Sequence, residues 1–270
     1  MKNVVGLVLG AGGARGVAHV GVLQALEDNG IKVDLITGCS MGSVIGGAYA
    51  LGMKTEDIMA EVIGLKKGDL LDLAVNPLKN QALLKSSKLE KVVYKYFEDK
   101  KFTDLNIPFA CVATDILSGK VVEFKGNKKV ATGIIASSTI PGVFKPVKVG
   151  AKLLVDGGVV ERLPINLAKK MGATTIIAVD VLGRIKLSNN HYNMISLLNR
   201  VFDIMDESNT YHKLKKNKPD LLLTPDLGNL SPYNFRNHED TYHAGYDIVM
   251  DNIEEIKKVI AKNNAKLNKK

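Results

Sequence analysis

The first fifty residues alternate twice between a short apolar run and a segment of helical periodicity, with glycines at each junction. Residues 4–9 and 32–37 are the apolar runs, which predict strands, and residues 16–29 and 41–51 repeat apolar side chains as helices do. Alternating strands and helices build a parallel sheet covered on both faces, and such sheets bind ligands at the carboxyl ends of their strands. The pattern therefore predicts an α/β fold with a mostly parallel central sheet and helices on both faces.

The rest of the chain continues this alternation after one less regular stretch. Residues 55–97 are helical with polar breaks, so a helical cap or insertion over the sheet is expected at about 55–100. With 270 residues, 46% of them hydrophobic, the chain fits a single domain over 1–270, of which the part from about 185 carries fewer signals. Further strands are predicted at 109–116, 120–124, 152–155, 174–181 and 221–224, and further helices at 129–137, 164–171, 192–216 and 239–262.

Three features of the sequence bear on where the protein works. The apolar stretches are shorter than the roughly 18 to 20 residues of a membrane-spanning helix. The N-terminal run leads directly into small residues at 10–13 instead of a cleavage site, so it predicts a buried strand and not a signal peptide. Cys39 and Cys111 form no C-x-x-C pair and no disulfide framework. We therefore expect a cytoplasmic location.

The formal net charge of +9 favours contact with anionic surfaces. Much of the excess lies in a lysine-rich tail, for which two interpretations stay open. The tail is either a solvated helix end, with lysines at the negative end of the helix dipole, or a contact with anionic lipid. Peripheral contact with an anionic membrane is thus a hypothesis, and no nucleic-acid partner is expected. The tail lysines are Lys257, Lys258, Lys262, Lys266, Lys269 and Lys270.

The segment Gly38-Cys39-Ser40-Met41-Gly42 stands where the second predicted strand meets its helix. In the G-x-S-x-G elbow of serine hydrolases, the serine lies on a sharp strand-to-helix turn, and the two glycines let strand and helix approach. Ser40 would then lie at a helix N-terminus, whose free N–H groups and dipole favour an oxyanion. The alternative is a serine that only caps the helix. The position of the segment predicts Ser40 as a nucleophile.

A second glycine-rich segment, residues 10–16, joins the first strand to the first helix, and its backbone N–H groups suit an anion. As a dinucleotide-binding loop it is incomplete, because Arg15 displaces the third glycine and Asp34 lies at the wrong end of the second strand. As an oxyanion hole it would use the N–H groups of Gly12 and Gly13. Arg15 would hold a phosphate or carboxylate of the substrate, or form a structural ion pair, and both roles stay open.

A nucleophilic serine needs a base, and Asp156-Gly157-Gly158 follows the predicted strand 152–155. A free carboxylate is a poor base near neutral pH, but burial raises its pKa and a direct hydrogen bond to the hydroxyl brings proximity. An Asp-Gly turn without a catalytic role is the alternative. Together with the elbow, the segment predicts Asp156 as the base.

Histidine is the more usual partner of a catalytic serine, and the chain order Ser, Asp, His is available here. The histidines after Asp156 lie on polar segments without a distinctive motif, which favours surface roles, and His19 in the first helix is expected to be structural. The residue pattern alone leaves a triad open. No Cys or His cluster has metal-ligand spacing, and neither metal nor cofactor is expected. The later histidines are His191, His212, His238 and His243.

Four motifs over about residues 5–180 resemble, in their order, the patatin-like phospholipase family, particularly its small bacterial members. They are the glycine-rich loop, the elbow, the segment 136–144 with its Ser-Ser-Thr-Ile-Pro-Gly run, and the Asp-Gly-Gly segment. The resemblance implies a three-layer α/β/α fold and hydrolysis of lipid acyl esters through an acyl-enzyme, without a catalytic histidine. It assigns the nucleophile to Ser40 and the base to Asp156. Its oxyanion donors are chiefly Gly12 and Gly13, with Gly10, Arg15 and Gly16 in the same loop.

The expected function is a lipid acyl hydrolase of the phospholipase A or lysophospholipase/esterase type. Many relatives carry polar amides before the proline after Asp-Gly-Gly, whereas this chain has Glu161-Arg162-Leu163-Pro164, so no relative's substrate preference is transferred. Two other classes stay open. One is a hydrolase-fold regulator or binding protein with negligible turnover, and the other is a dinucleotide-binding oxidoreductase.

Overall fold

A computed structural model describes residues 3–64, 72–73, 84–85, 87–184, 194–228, 230 and 237–268. Several features named above lie outside these residues: His191, much of the expected cap at 65–71 and 74–83, and the tail lysines Lys269 and Lys270. Within the described ranges, no helix is long and apolar enough to cross a bilayer.

The main sheet has the strand order β10-β9-β1-β2-β5-β8-β7, with β6 paired to β5, and a separate hairpin joins β3 to β4. The strands are β1 Val5–Leu9, β2 Leu35–Gly38, β3 Asp72–Leu73, β4 Leu84–Lys85, β5 Phe109–Asp115, β6 Lys120–Phe124, β7 Val147–Val149, β8 Lys152–Asp156, β9 Thr175–Val179 and β10 Leu221–Leu223.

The helices cover most of the predicted helical segments. They are α1 Ala18–Asp28, α2 Met41–Leu51, α3 Thr55–Gly64, α4 Ser87–Phe97, α5 Val130–Ser137, α6 Gly158–Glu161, α7 Ile165–Lys170, α8 Met194–Lys216, α9 His238–Asp251 and α10 Ile253–Leu267. Short 3-10 turns cover Gly13–Val17 and Phe102–Asp104. The predicted helix 239–262 is two helices, because the chain leaves helical geometry at Asn252.

The α/β fold is confirmed, and the sheet divides into a parallel and an antiparallel part. The strands β10, β9, β1, β2 and β5 run parallel, as predicted. The strand β6 runs antiparallel to β5, as the short turn between the two predicted strands indicates. The strands β7 and β8 also run antiparallel to their neighbours, which the sequence pattern did not reveal. The strand β8 starts at the carboxyl edge of the parallel strands and runs antiparallel to β5, so that its last residue, Asp156, pairs with Ala113. On the other strand, Gly38 of β2 pairs with Cys111, two residues before Ala113. Ser40, two residues after Gly38, therefore lies at the same height in the sheet as Asp156.

Helices cover both faces of the sheet, and β1 is buried throughout. Its Leu7 and Leu9 pack into the larger core with α1 and α2, whereas Val8 packs into the opposite core with α7. Because both faces of this strand are buried, its sequence is a continuous run of apolar residues. Within the expected cap, α3 and α4 contribute Val62 and Phe97 to the larger core.

Candidate active site

Ser40 occupies a strained turn between β2 and α2. Its backbone has φ 53° and ψ −125°, and among the described residues it is the non-glycine residue with a positive φ. A residue with a side chain adopts this backbone conformation only at a cost in free energy, which contacts with the surrounding structure must offset. Here the Ser40 N–H donates to Ser137 Oγ at 2.9 Å, and the Ser40 carbonyl accepts from Ser43 Oγ at 2.6 Å.

The glycines of the elbow allow backbones to meet. A Cβ on Gly42 would overlap the carbonyl oxygen of Leu9 and lie 2.6 Å from that of Gly10. A Cβ on Gly38 would lie 2.6 Å from the carbonyl oxygen of Gly42. The helix after Ser40 therefore starts in direct contact with the end of β1, which places the elbow beside the glycine-rich loop.

The Ser40 hydroxyl donates a hydrogen bond of 2.6 Å to Asp156 Oδ2. The second carboxylate oxygen, Oδ1, accepts from the Gly158 N–H at 2.8 Å and lies 3.8 Å from the Cys39 Sγ. Ser40 is 5% exposed and Asp156 is 7% exposed. The two residues thus form a directly bonded, nearly buried hydroxyl–carboxylate pair, hereafter the Ser40–Asp156 pair.

The pKa of Asp156 is raised to about 6, because burial penalises its charged form. Hydrogen bonds from Ser40, from the Gly158 N–H and from Cys39 lower it, and the charge of Asp206 raises it further. Burial and the Asp156 charge raise the pKa of the Cys39 thiol well above its ordinary value, so that thiol stays protonated. The carboxylate is therefore ionised at neutral pH and more basic than an exposed aspartate.

The segment 136–144 connects the two members of the pair. Ser137 accepts the Ser40 N–H through its hydroxyl, and its carbonyl accepts the Gly157 N–H at 3.4 Å. The carbonyl of Thr139 accepts the Asp156 N–H at 2.7 Å. The family resemblance singles out this segment, and its contacts give it a physical role, which is to position both residues.

The glycine-rich loop is anchored at its start. The Gly10 N–H donates to Val179 at 3.1 Å, and the Ala11 N–H donates to the Arg162 carbonyl at 3.1 Å. The Nε2 of His19 lies 2.9 Å from the Gly10 carbonyl oxygen. Burial lowers the pKa of His19 to about 4, so the neutral ring donates this bond at physiological pH. His19 thus has the structural role expected of it.

Two N–H groups of the loop, those of Gly12 and Gly13, donate to no acceptor within the described part of the chain. The same holds for the N–H of Met41 at the start of α2. Gly13 has φ 53°, which glycine adopts without strain. Gly16 meets the Met41 side chain, where a Cβ would have no room. Loop and helix start therefore offer free backbone donors beside the elbow.

Arg15 turns away toward the C-terminal part of the chain. Its Nε donates to the Leu230 carbonyl at 2.7 Å and its terminal nitrogen to the Leu182 carbonyl at 3.3 Å. Burial lowers its pKa, and the charge of Asp203 partly offsets that effect. Arg15 and Val181 both line a cavity of about 550 Å³, which lies at the carboxyl ends of β9 and β10.

A buried ion-pair network adjoins the loop, and sequence reasoning did not find it. Arg162, 4% exposed, donates to Asp180 at 2.7 Å and to Asp206 of α8 at 2.8 Å. Its carbonyl receives the Ala11 N–H described above. The network thereby fastens α8 to the glycine-rich loop, and its residues stand 18 and 44 positions apart in the chain.

The hydrogen bonds of Ser40 and Asp156 within the described ranges go to no histidine. His212 and His243 are exposed, and each ring packs on the tyrosine before it. His238 begins α9. The described part of the chain thus brings the predicted serine and aspartate together and places no histidine between them.

The chain is similar in sequence to several patatin-related proteins. An uncharacterized NTE family protein of Mycobacterium bovis is 37% identical over 179 residues, which are 66% of this chain and 49% of that protein. Human patatin-like phospholipase domain-containing protein 6 is 36% identical over 66% of this chain and 13% of its own length. Lysophospholipase NTE1 of Debaryomyces hansenii is 30% identical over 89% of this chain and 17% of its own length. The chain thus spans about half, or less, of the curated relatives it matches.

Two solved structures share the fold at low identity. VipD of Legionella pneumophila matches with a TM-score of 0.53 and 12% identity, over 97% of this chain and 67% of that one. Human GIVD cytosolic phospholipase A2, in complex with methyl gamma-linolenyl fluorophosphonate, matches with a TM-score of 0.53 and 13% identity, over 97% and 59%. The sequence profile of the patatin-like phospholipase family matches residues 7–169, which hold both the glycine-rich loop and the Ser40–Asp156 pair. The chain belongs to the patatin-like phospholipase family.

Proposed function

We propose that this chain is a serine acyl hydrolase that cleaves carboxylic esters of lipids, with Ser40 as nucleophile and Asp156 as base. The observation that carries the proposal is the 2.6 Å hydrogen bond from the Ser40 hydroxyl to Asp156 Oδ2. A serine hydroxyl is activated when a base accepts its proton directly. A carboxylate with a pKa of about 6 is better matched to that task near neutral pH than an exposed one.

In the acylation step, Ser40 Oγ attacks the ester carbonyl carbon while its proton passes to Asp156 Oδ2. The carbonyl oxygen becomes an oxyanion, which accepts hydrogen bonds from the N–H groups of Gly12, Gly13 and Met41, none of which has an acceptor among the described residues. The tetrahedral intermediate collapses, the bond to the alcohol breaks, and Asp156 returns its proton to the leaving alkoxide. The acyl group remains on Ser40 as an ester.

In the deacylation step, Asp156 accepts a proton from water as that water attacks the acyl-enzyme. The second tetrahedral intermediate uses the same N–H donors. When it collapses, the bond to Ser40 Oγ breaks and Oγ recovers the proton held by Asp156. A fatty acid is released, and no metal or cofactor takes part in either step.

The substrate class follows from the relatives' names and stays a proposal, because the chain spans only part of each relative. The Debaryomyces protein is named a lysophospholipase and the human one a phospholipase domain-containing protein. We propose phospholipids or lysophospholipids as substrates, with peripheral contact between the protein and an anionic membrane.

The test is release of p-nitrophenol from short and medium acyl esters. The proteins compared are the wild type, Ser40→Ala, Asp156→Asn and a folded variant with His191, His212, His238 and His243 all changed to alanine. Loss of turnover in the first two variants, with retention in the histidine variant, is the expected result. A folded but inactive histidine variant would instead indicate a triad, and a wild type inert on every ester would favour a regulator.

A further inference from the structure

The N-terminal half of α8 lies at the carboxyl edge of the sheet. Asp206 of this helix bonds Arg162, which in turn bonds Asp180 at the carboxyl end of β9. The C-terminal half then descends along the sheet, where Leu214 packs against the core beneath α7. Residues 194–205, which precede Asp206, form a helical segment about 18 Å long, at about 1.5 Å per residue.

This N-terminal half of α8 carries an exposed apolar stripe. Leu197, Val201, Ile204 and Met205 recur at the spacing of one helix face, and their exposed fractions run from 43% to 63%. Large apolar side chains on a well-packed protein are normally exposed singly, and a contiguous group marks an interaction surface.

A second apolar tip lies at the same edge. The turn between β5 and β6 carries Ile116 and Leu117, which are 53% and 68% exposed. In the strand order, β2 with Ser40 at its end lies between β5 and the β9–β10 side that holds α8. The two apolar tips therefore stand on either side of the Ser40–Asp156 pair.

Exposed basic residues border the turn at Ile116 and Leu117. Lys120 opens β6, Lys145 and Lys148 flank the start of β7, and Lys152 opens β8, and all four are exposed. None of them has an ion-pair partner among the described residues. The acidic neighbour Asp115 is held by Ser118 Oγ and by backbone N–H groups. This rim suits an anionic surface.

The described part of the lysine-rich tail, Lys257 to Lys266, lies at the opposite edge. In α10, Asn263 bonds Thr175 and Asp220, and Ile260 accepts a bond from Asn3, all at the amino ends of strands. The tail lysines Lys257 and Lys258 pair with glutamates one turn earlier. The described tail lysines therefore lie at the amino edge of the sheet, opposite the carboxyl edge where Ser40 lies, and do not bring lipid to Ser40.

We propose that the carboxyl edge is a docking face for an anionic lipid surface. It consists of the α8 stripe, the turn at Ile116 and Leu117, and the lysine rim. This inference rests on the proposed function, because it delivers the ester substrate to the Ser40–Asp156 pair. Apolar tips would enter the boundary between headgroups and acyl chains while the lysines meet the anionic headgroups.

The test is co-sedimentation of the full chain, in a Ser40→Ala background, with phosphatidylcholine vesicles and with vesicles that also contain phosphatidylglycerol. One variant carries Leu117→Ser and Met205→Ser, and a second carries Lys120→Gln, Lys145→Gln and Lys148→Gln. The matched control carries Lys258→Gln, Lys262→Gln and Lys266→Gln in the tail. All these side chains are exposed, so each variant is expected to keep the parent's melting temperature.

The expected result is preference for the phosphatidylglycerol vesicles, a fall in partition of about tenfold or more in both edge variants, and no change in the tail control. Loss of binding in the tail control alone, or equal binding by every variant, would overturn the docking face. So would a wild-type dimer that the edge changes dissociate while no variant binds vesicles, since the occupant would then be a second copy.

Turnover of water-soluble p-nitrophenyl butyrate separates this inference from the proposed function. With Ser40 restored, both edge variants are expected to hydrolyse this ester at the wild-type rate, because no docking is needed. If the wild type hydrolyses no ester but its vesicle binding still depends on the edge residues, the docking face stands and the hydrolase proposal fails.

Discussion

Replacing Asp156 by asparagine is expected to stabilise the protein at high pH while it abolishes activity. Burial raises the pKa of Asp156 from 3.8 to about 6, so the folded state holds a proton that the unfolded chain releases. The stability that comes from this proton is fully present below pH 3.8 and is lost as the pH rises through about 6. Asparagine cannot lose a proton and avoids that loss.

The magnitude follows from the shift. The contribution of this carboxyl group to the free energy of unfolding falls by about 3 kcal/mol from low to high pH. Of this, about 1.4 kcal/mol is lost between about pH 5 and about pH 8. For a chain of this size, that difference corresponds to about 3 to 5 °C in melting temperature. The asparagine side chain can still accept the Gly158 N–H, so the turn itself is expected to persist.

The assay is thermal unfolding of wild type and Asp156→Asn at the two pH values. Other shifted groups, such as His19 and Glu161, titrate in both proteins and largely cancel from the difference. Ser40→Ala serves as a second control, because the Ser40 hydrogen bond lowers the Asp156 pKa and its loss is expected to steepen the pH dependence. An Asp156→Asn variant whose melting temperature differs from wild type by the same amount at both pH values would refute the reasoning.

Three further outcomes are expected. Turnover of a soluble ester, as kcat/KM, is predicted to rise about tenfold per pH unit below about pH 6 and to level off above it, because Asp156 must be ionised; a flat profile contradicts this. Gly42→Ala is predicted to lower the free energy of unfolding by about 2 kcal/mol or more in urea, whereas Gly64→Ala, where a Cβ meets nothing within 4 Å, is predicted to be neutral or stabilising. Arg162→Met is predicted to cost about 3 to 5 kcal/mol in the same assay, because it leaves the buried Asp180 and the partly buried Asp206 without their cation; a loss under 1 kcal/mol contradicts the network.

The local features of the site were predictable from sequence. The elbow around Ser40 combines a strand-to-helix change of period with glycines at fixed offsets, and both are properties of adjacent residues. The burial of β1 followed from its unbroken apolar run, and the structure confirms it. The roles of Ser40, Asp156, Gly12 and Gly13 in catalysis stay predictions.

The features missed depend on residues that are distant in the chain. The antiparallel direction of β8 follows from how it pairs with β5, which no local period encodes. The Arg162–Asp206 pair spans 44 positions and is a matter of tertiary packing. Residues 147–149 and 158–161 form elements too short for a periodic signal.

The catalytic role of Ser40 is tested most directly by labelling with a fluorophosphonate and mapping the adduct by mass spectrometry. The reagent phosphonylates a serine only where a base removes its proton and donors stabilise the developing oxyanion. One adduct on the peptide that contains Ser40, absent from Ser40→Ala and strongly reduced in Asp156→Asn, is the predicted result. A folded wild type that stays unlabelled, or one labelled at another residue, would contradict the assignment of Ser40 as nucleophile.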